Sequence, residues 1–257
     1  MKSAQFLSSG RRGALCRATT ATVALLAFAP GCTTVQPLDQ PMMLRAPYAT
    51  GQLWAVAPFA NESGSLVPQT DHIADLLAEQ IQQAEGLDVV PVNRVIAAMR
   101  QLEMDSIQSP HEAAMLLRTL GVDGLIVGTI TAYDAYPPPK LGAAIQLFRR
   151  EVHASYSDLD PHALVRAPTD QSPVTVVPRP APSAQAAGVY DASNHQTLAW
   201  LDEYARGRTE PDSAYGAHAY LVSMELFTEF VSYRLLHDLL AFEQSGGQPQ
   251  DMQEPPR

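Results

Sequence analysis

The chain has 257 residues, 46% of them hydrophobic, and its 17 basic and 27 acidic residues give a formal net charge of −10. Because nucleic-acid binding depends on lysine and arginine contacts to phosphate, this acidic balance argues against a nucleic-acid partner. The two cysteines are too few for a disulfide framework or a cysteine-based zinc site, and the length suffices for one domain with a substantial core.

The N-terminus has the pattern of a secretory leader. Residues 1–17 contain four basic residues and no acidic residue, and an apolar run follows at residues 18–29. This run is shorter than the ~20 apolar residues that a transmembrane helix needs. It ends in the letters APGC, which resemble the lipobox of bacterial lipoproteins and imply cleavage before Cys32 and acylation of Cys32. The alternatives are an ordinary secreted protein with a free cysteine, or a buried first helix.

Acylation of Cys32 would hold the protein on a membrane without crossing it, since each buried acyl methylene contributes about 0.8 kcal/mol. Loss of the four basic leader residues would change the net charge from −10 to −14, so we expect the lipid, and not a polybasic patch, to be the anchor. Thr33 replaces the aspartate that favours inner-membrane retention, which favours the periplasmic face of the outer membrane. The predicted organisation is a signal peptide at 1–31, a flexible tether at 32–50, a periplasmic α/β domain at 51–244 with a proline-rich insertion at 157–187, and a disordered tail at 245–257.

The first half of the domain alternates between strand and helix patterns. Strands are predicted at residues 52–59 and 87–92, with a helix between them that ends near Gly86. The apolar face of that helix is predicted to contain Ile73, Leu76, Leu77 and Ile81. The next helix is predicted to begin at an Asn93 N-cap and to bury Val95, Met99 and Leu102.

Residues 109–134 carry the clearest local signal. Ser109 and Glu112 predict a capping box, with Pro110 at the first helical position and Gly121 at the end of the helix. A largely apolar, β-branched strand is predicted at residues 122–134. The order strand, helix, strand, helix, helix, strand implies crossover connections. It predicts an α/β (α+β) three-layer sandwich with a mixed central sheet and flanking helices.

The second half of the chain is less regular. The segments AAIQLF and EVHASY predict one or two strands, and the insertion at 157–187 lacks a core-forming period. Residues 188–205 predict a hairpin around a turn at 191–195. A long C-terminal helix is predicted from about Ala217 to Phe242, with an apolar stripe formed by Leu221, Met224, Phe227, Val231, Leu235 and Leu239.

Four segments, taken in order, resemble a family of bacterial envelope lipoproteins that includes CsgG, LpoB and the amino-terminal domain of TolB. They are LWAVAPFANESG, GLDVVPVNRVIAAMRQLEM, SPHEAAMLLRTLGVDGLIVGTI and VYDASNHQTL. The resemblance covers residues 52–133 well and residues 188–204 loosely, and the proline-rich insertion departs from it. It implies a three-layer α/β domain without a known catalytic centre or cofactor.

The resemblance implies a function in binding, with an envelope protein involved in secretion or cell-wall synthesis as the partner and homo-oligomerisation as a possibility. One alternative is a curli-type secretion channel, but the six prolines between positions 161 and 182 would interrupt the strands of a membrane barrel. The other alternative is a periplasmic hydrolase whose site has no recognisable motif.

The residues that could carry chemistry form no strong motif. The seven histidines, at 72, 111, 153, 162, 195, 218 and 237, include no His-Glu-x-x-His pair. Asp71 and Asp75 could share a helical face, but acidic residues near a helix N-terminus have an ordinary explanation. No Gly-x-Ser-x-Gly motif is present, and Asp202 and Glu203, expected in a strand, would face opposite sides. We therefore expect no catalytic residue, metal site or cofactor, and an exposed Phe230 and Tyr233 would mark a docking surface.

Overall fold

The computed structural model describes residues 40–150, 181–209 and 213–245. Six strands are present in these ranges: β1 (Gln52–Val56), β2 (Ala60–Asn61), β3 (Leu87–Val90), β4 (Gly124–Asp134), β5 (Lys140–Arg149) and β6 (Ala184–Asp191). The same ranges contain six α-helices: α1 (Thr70–Gln83), α2 (Val92–Gln101), α3 (Pro110–Leu120), α4 (His195–Ala205), α5 (Ala219–Val222) and α6 (Met224–Gln244). A 3-10 turn at Gly216–His218 precedes α5.

The six strands form one mixed sheet, as the sequence predicts. The strand order is β3-β1-β4-β5-β6, and β2 pairs with β4 beyond the end of β1. β1 is parallel to both β3 and β4, whereas β4, β5 and β6 are antiparallel. The crossovers through α1 and through α2–α3 therefore produce the parallel half, and in the antiparallel half a short turn joins β4 to β5.

Helices cover the sheet on both faces, which confirms the three-layer sandwich. Trp54 and Val56 point into a core that also contains α1 and α6, and Ala55 and Ala57 point into a second core with α2 and α3. Successive side chains of a strand face opposite sides of the sheet, so alternate residues of β1 belong to different cores. Phe227 and Phe230 of α6 are fully buried in the first core.

The helices and strands predicted for the first half are present, but β1 ends at Val56 and β3 ends at Val90, and Leu102 lies just after α2 and is only partly buried. Ser109 Oγ accepts a hydrogen bond from the Glu112 backbone N–H at 3.3 Å, Glu112 Oε2 accepts one from the Ser109 N–H at 3.2 Å, and Gly121 has φ +70°. The predicted Asn93 N-cap is wrong. The N-cap is Pro91, whose φ of −53° lets α2 begin at Val92, and Val92 is 2% exposed.

The predicted hairpin at residues 188–205 is wrong, because only its first half is a strand. After Asp191 the chain turns into α4, whose N-terminus is capped by the Asn194 side chain accepting from the Gln196 N–H at 2.8 Å. The buried residues Leu201, Tyr204 and Ala205 recur at helical spacing. Asp202 and Glu203 consequently lie on the exposed side of a helix.

The boundary of the predicted insertion also changes. β6 begins at Ala184, inside the predicted range 157–187, and buries Ala184 and Ala186. Alanine provides little strand signal, but pairing with β5 and packing under α6 impose the extended conformation. The rest of the insertion up to residue 180, the predicted EVHASY strand and the tail after Ser245 lie outside the described residues.

The predicted C-terminal helix is interrupted once. Ser223, with φ −115° and ψ 115°, ends α5 and caps α6 by accepting a hydrogen bond from the Leu226 N–H at 3.4 Å. The predicted stripe residues Phe227, Val231, Leu235 and Leu239 are buried, and Leu221 and Met224 are partly buried. Phe230, Tyr233, Leu236 and Leu240 are buried as well, because α6 is contacted by the sheet, α1 and α4. None of the described helices is long and apolar enough to span a bilayer.

Candidate functional site

The predicted acylation site, Cys32, lies outside the described residues, and Gln40 is the first residue that the structure describes. Seven residues separate the two. Residues 40–50 are therefore the part of the predicted tether that the structure describes, and they would connect a lipid anchor on Cys32 to the domain.

Residues 42–48, which we call the entry segment, are attached to the domain. The Ala46 N–H donates to the Glu85 carbonyl at 2.9 Å, and the Glu85 N–H donates to the Leu44 carbonyl at 2.8 Å, so the segment extends the sheet next to the start of β3. Ala46 is buried in the first core. Residues 44–46, which belong to the predicted tether, are therefore hydrogen-bonded to the domain.

Tyr48 fastens the end of the entry segment to the C-terminal helix. Its hydroxyl donates to Glu243 Oε2 at 3.0 Å, and Arg149 Nη1 lies 3.2 Å from the same oxygen. The Arg149 guanidinium also lies 4.6 Å from the centre of the Tyr48 ring. The Glu243 side chain is 8% exposed, so the two donors compensate for burial of its charge. Burial, and then the Glu243 carboxylate, raise the pKa of Tyr48 well above its ordinary value.

Arg208, just after α4, connects the other end of the entry segment to α4 and α6. Its Nη2 donates to the Met42 carbonyl at 3.1 Å and its Nη1 donates to the Tyr204 carbonyl at 3.0 Å. The guanidinium lies 4.1 Å from the Tyr204 ring centre and 5.2 Å from the Tyr233 ring centre. Arg208 has no carboxylate within ion-pair distance among the described residues.

Beside Arg208 is a pocket of about 70 Å³, which we call the aromatic–arginine pocket. It is lined by Met42, Trp200, Glu203, Tyr204, Tyr233, Arg234 and His237. Arg234 stacks on Trp200 at 4.5 Å, and its Nη2 lies 3.0 Å from Asp238 Oδ1. The Tyr233 hydroxyl and Arg234 Nε are buried atoms with almost no accessible surface, and the Arg234 side chain lies within hydrogen-bond reach of the Tyr190 hydroxyl.

The tyrosines around this pocket are held in their protonated form. Burial, and then the Asp238 charge, raise the pKa of Tyr190 to about 12. Burial is also the main reason why the pKa values of Tyr204 and Tyr233 are raised. These phenols can donate hydrogen bonds at neutral pH, but they cannot act as bases there.

The opposite end of the sheet has a different surface, which we call the hairpin end. It consists of the loop at 62–68 and the β4–β5 turn at 135–139, brought together because β2 pairs with β4. Leu66 is 100% exposed and Tyr136 is 84% exposed. Polar contacts within the loop are local, such as the Asn61 side chain donating to the Ser65 carbonyl at 2.8 Å.

The structure brings few of the predicted chemical candidates together. No group of three or more potential metal ligands occurs among the described residues, and His153 and His162 lie outside them. Asp71 and Asp75 are exposed on α1, with Asp71 in its first turn. Phe230 and Tyr233 are 0% and 5% exposed, so the condition for a docking surface on this part of α6 is not met.

The residues that line the pocket do not follow from the sequence predictions. The predicted hairpin places Trp200 and Tyr204 in a strand, and no motif indicates Arg208 or Arg234. The available signal was Asn194, a good N-cap, followed by Leu198, Leu201 and Ala205 at helical spacing. That pattern predicts α4, but not its position against α6.

No protein-family model and no curated protein matches the chain. Among solved structures, the LpoB C-terminal domain from Salmonella enterica has 15% identity and a TM-score of 0.34, over 40% of this chain and 75% of that one. Lipoprotein GNA1162 from Neisseria meningitidis has 22% identity and a TM-score of 0.29, over 38% and 69%. The hypothetical protein CT253 from Chlamydia trachomatis has 14% identity and a TM-score of 0.36, over 79% and 100%. With identities and TM-scores this low, these likenesses assign neither a family nor a function, and the resemblance to CsgG remains a prediction.

Proposed function

We propose that this protein is a lipid-anchored, non-enzymatic binding module of the bacterial envelope. Acyl chains on Cys32 would hold it on the periplasmic face of the outer membrane, where its α/β domain binds a protein that takes part in secretion or cell-wall synthesis. The observation that carries the proposal is the basic leader with a short apolar run that ends on Cys32.

The entry segment supports a short connection between anchor and domain. The chain is attached to the domain from Met42 onward, and a fully extended chain advances at most ~3.6 Å per residue, so Met42 would lie within roughly 35 Å of an acylated Cys32. The net charge of −10 gives the chain little attraction to anionic lipid. Covalent lipid would therefore supply most of the membrane affinity.

A binding role is supported by the stacking of arginine on aromatic rings beside the entry segment. The Arg234 guanidinium lies 4.5 Å from the Trp200 ring centre, and the Arg208 guanidinium lies 4.1 Å from the Tyr204 ring centre.

Metabolic labelling with an alkyne fatty acid tests the anchor. The chain contains two cysteines, so Cys32→Ala and the matched control Cys16→Ala separate the proposed acceptor from the leader cysteine. We expect label on the wild type and on Cys16→Ala, no label on Cys32→Ala, and a mature N-terminus at residue 32. Label that persists in Cys32→Ala, or a mature N-terminus elsewhere, would refute the proposal.

A further inference from the structure

The two outer strands of the sheet, β3 and β6, differ in how their free edges are protected. β3 has only four residues, exposes the charge of Asp88, is followed by Pro91, and has the entry segment beside its start. β6 has eight residues, its register with β5 contains no bulge, and residues 184–190 include neither a charged residue nor a proline. Native proteins usually protect an edge strand with such features, because an unprotected edge pairs with other chains. The described structure gives β6 none of them.

The backbone of β6 directs alternate residues towards its free side, which we call the open edge. In an antiparallel pair, every second residue directs its N–H and C=O groups towards the neighbouring strand, and the residues between them direct theirs away from it. The Ala192 N–H donates to the Pro139 carbonyl at 3.0 Å, and the register with β5 is unbroken along β6. The even-numbered residues of β6 therefore bond to β5. The residues whose backbone groups face the open edge are Gln185, Ala187 and Val189.

These three residues are accessible. All three are exposed, and Val189 is 61% exposed. Their backbone groups form no hydrogen bond with any other residue that the structure describes, since β6 pairs only with β5 in these ranges. α6 packs on the opposite face of β6, over the buried side chains of Ala184, Ala186 and Tyr190. Each of the three residues therefore offers one N–H and one C=O group to a further strand.

We propose that the open edge binds β6 of a second copy of this chain, in an antiparallel pair that continues the sheet across a two-fold axis. Such an axis makes an interface self-complementary. With the axis at Ala187, this residue faces its own counterpart, and Gln185 faces Val189 of the second copy. Each outward-facing residue then exchanges both its hydrogen bonds with the residue opposite, and any other register leaves some of these groups unpaired. The inference does not require Cys32 to be acylated.

The side chains of β6 favour a second copy as the partner. The close pairs would place Gly188 opposite Ala186 of the second copy, and both residues are small enough to let the backbones approach. Asp191 would lie opposite Ser183 of the second copy, so the negative charge of the chain does not place two carboxylates in contact. A strand from a different protein is distinguished through side-chain pockets. β6 instead presents mainly backbone groups and small side chains at this edge.

The oligomeric state is the first test. One strand from each copy gives a small interface, and interfaces below about 1,200 Å² are usually weak, so we expect an equilibrium between monomer and dimer. The protein, purified in whichever form cells produce it, is measured by native mass spectrometry from a nonionic detergent over a series of protein concentrations. We expect the dimer to increase with concentration and no larger species, because one pairing occupies both open edges. A chain that stays monomeric up to about 1 mM, or that forms larger assemblies, would overturn the proposal.

Ala187→Lys and Ala187→Glu test the position of the axis. Each variant places two like charges opposite each other, so each should dimerise at least about tenfold more weakly than the wild type. Both should fold, because the side chain at this position is exposed and its N–H is not bonded to β5. A mixture of the two variants should restore dimerisation, since lysine then faces glutamate. Labelling one variant with ¹⁵N distinguishes the mixed dimers by mass.

Leu66→Lys and Leu66→Glu are the matched controls, because they make the same charge changes at the hairpin end, where Leu66 is 100% exposed. Both should dimerise like the wild type. General repulsion between acidic chains predicts instead that lysine strengthens dimerisation and glutamate weakens it at either position. That result, or a mixture of the two Ala187 variants that fails to restore dimers, would overturn the proposal.

Hydrogen exchange at the Ala187 amide distinguishes a second copy from other occupants of the open edge. In the proposed dimer this N–H is bonded across the axis, so its exchange should slow as the dimer fraction rises with concentration. Fast exchange at every concentration would mean that the edge stays open. Slow exchange in the monomer would mean that another segment of the same chain, or a different bound protein, covers the edge. Either result would overturn the proposal.

Discussion

The two ends of the domain present opposite kinds of surface. At the end where the entry segment joins the sheet, charged side chains are enclosed by aromatic rings, as in the Tyr48, Glu243 and Arg149 cluster and around Arg208. At the hairpin end, apolar side chains such as Leu66 and Tyr136 are exposed and polar contacts stay local. We therefore expect side chains at the entry end to contribute to the stability of the fold, and the exposed side chains of the hairpin end to contribute little.

Truncation of one buried ring in the first core should have the largest effect on stability. Phe230 is 0% exposed and contacts the rings of Tyr190, Tyr204 and Phe227. Phe230→Ala should therefore lower the free energy of unfolding by roughly 3–5 kcal/mol, measured by urea denaturation. The matched variant at the hairpin end, Leu66→Ala, should change it by less than about 0.5 kcal/mol. Similar losses in the two variants would contradict the contrast between the buried core and the exposed hairpin end.

Arg149, which contacts the entry segment, and Arg45, which belongs to it, allow a buried ion pair to be compared with an exposed one. Arg149→Met removes one of two donors from the 8% exposed Glu243 side chain, and should cost about 1–3 kcal/mol in urea denaturation. Arg45 pairs with Glu85 at 3.8 Å, but both side chains are more than half exposed. Arg45→Met should cost about 0–1 kcal/mol. If Arg45→Met lowered the free energy of unfolding more than Arg149→Met, the cluster of Arg149, Glu243 and Tyr48 would not be the main contact that stabilises the entry segment.

A smaller, pH-dependent effect should come from the ion pair next to the hairpin end. Lys140 Nζ lies 2.9 Å from Asp191 Oδ2, and its hydrogen bond, followed by those from Ser193, lowers the pKa of Asp191 from 3.8 to about 2. Because the pKa is lower in the folded state, the contribution is present above the unfolded value of 3.8 and is lost as the pH falls through about 2. Urea denaturation across this range should show a steeper loss in the wild type than in Lys140→Met. Parallel profiles for the two proteins would contradict the assignment.

Local sequence signals were reliable where they concerned groups within a few residues of one another. The capping box of α3 involves Ser109 and Glu112, and both its hydrogen bonds are present. The apolar face of α1 likewise follows from spacing alone, and Ile73, Leu77 and Ile81 are buried as predicted. The parallel half of the sheet could be inferred because crossovers leave a recognisable alternation of strand and helix.

The errors arose where distant contacts decide the conformation. β6 consists largely of alanine, glycine and glutamine, and pairing with β5 makes it a strand. α4 was mistaken for a strand because its N-cap Asn194 also suits a turn. The entry segment contains Pro47 and no regular pattern, which is typical of a linker, yet its backbone hydrogen bonds are with Glu85, about forty residues later in the chain.

By itself, the sequence determined the leader with its candidate acylation site, the acidic character of the chain and the mixed α/β class, because each follows from composition or short-range periodicity. Only the tertiary structure decided where the domain begins, that α4 folds over α6, and that Tyr233 and Arg234 meet Trp200 and Met42 at one pocket. Side chains far apart in the chain come together only when burial of apolar surface outweighs the entropy of ordering them, and no local pattern records that balance.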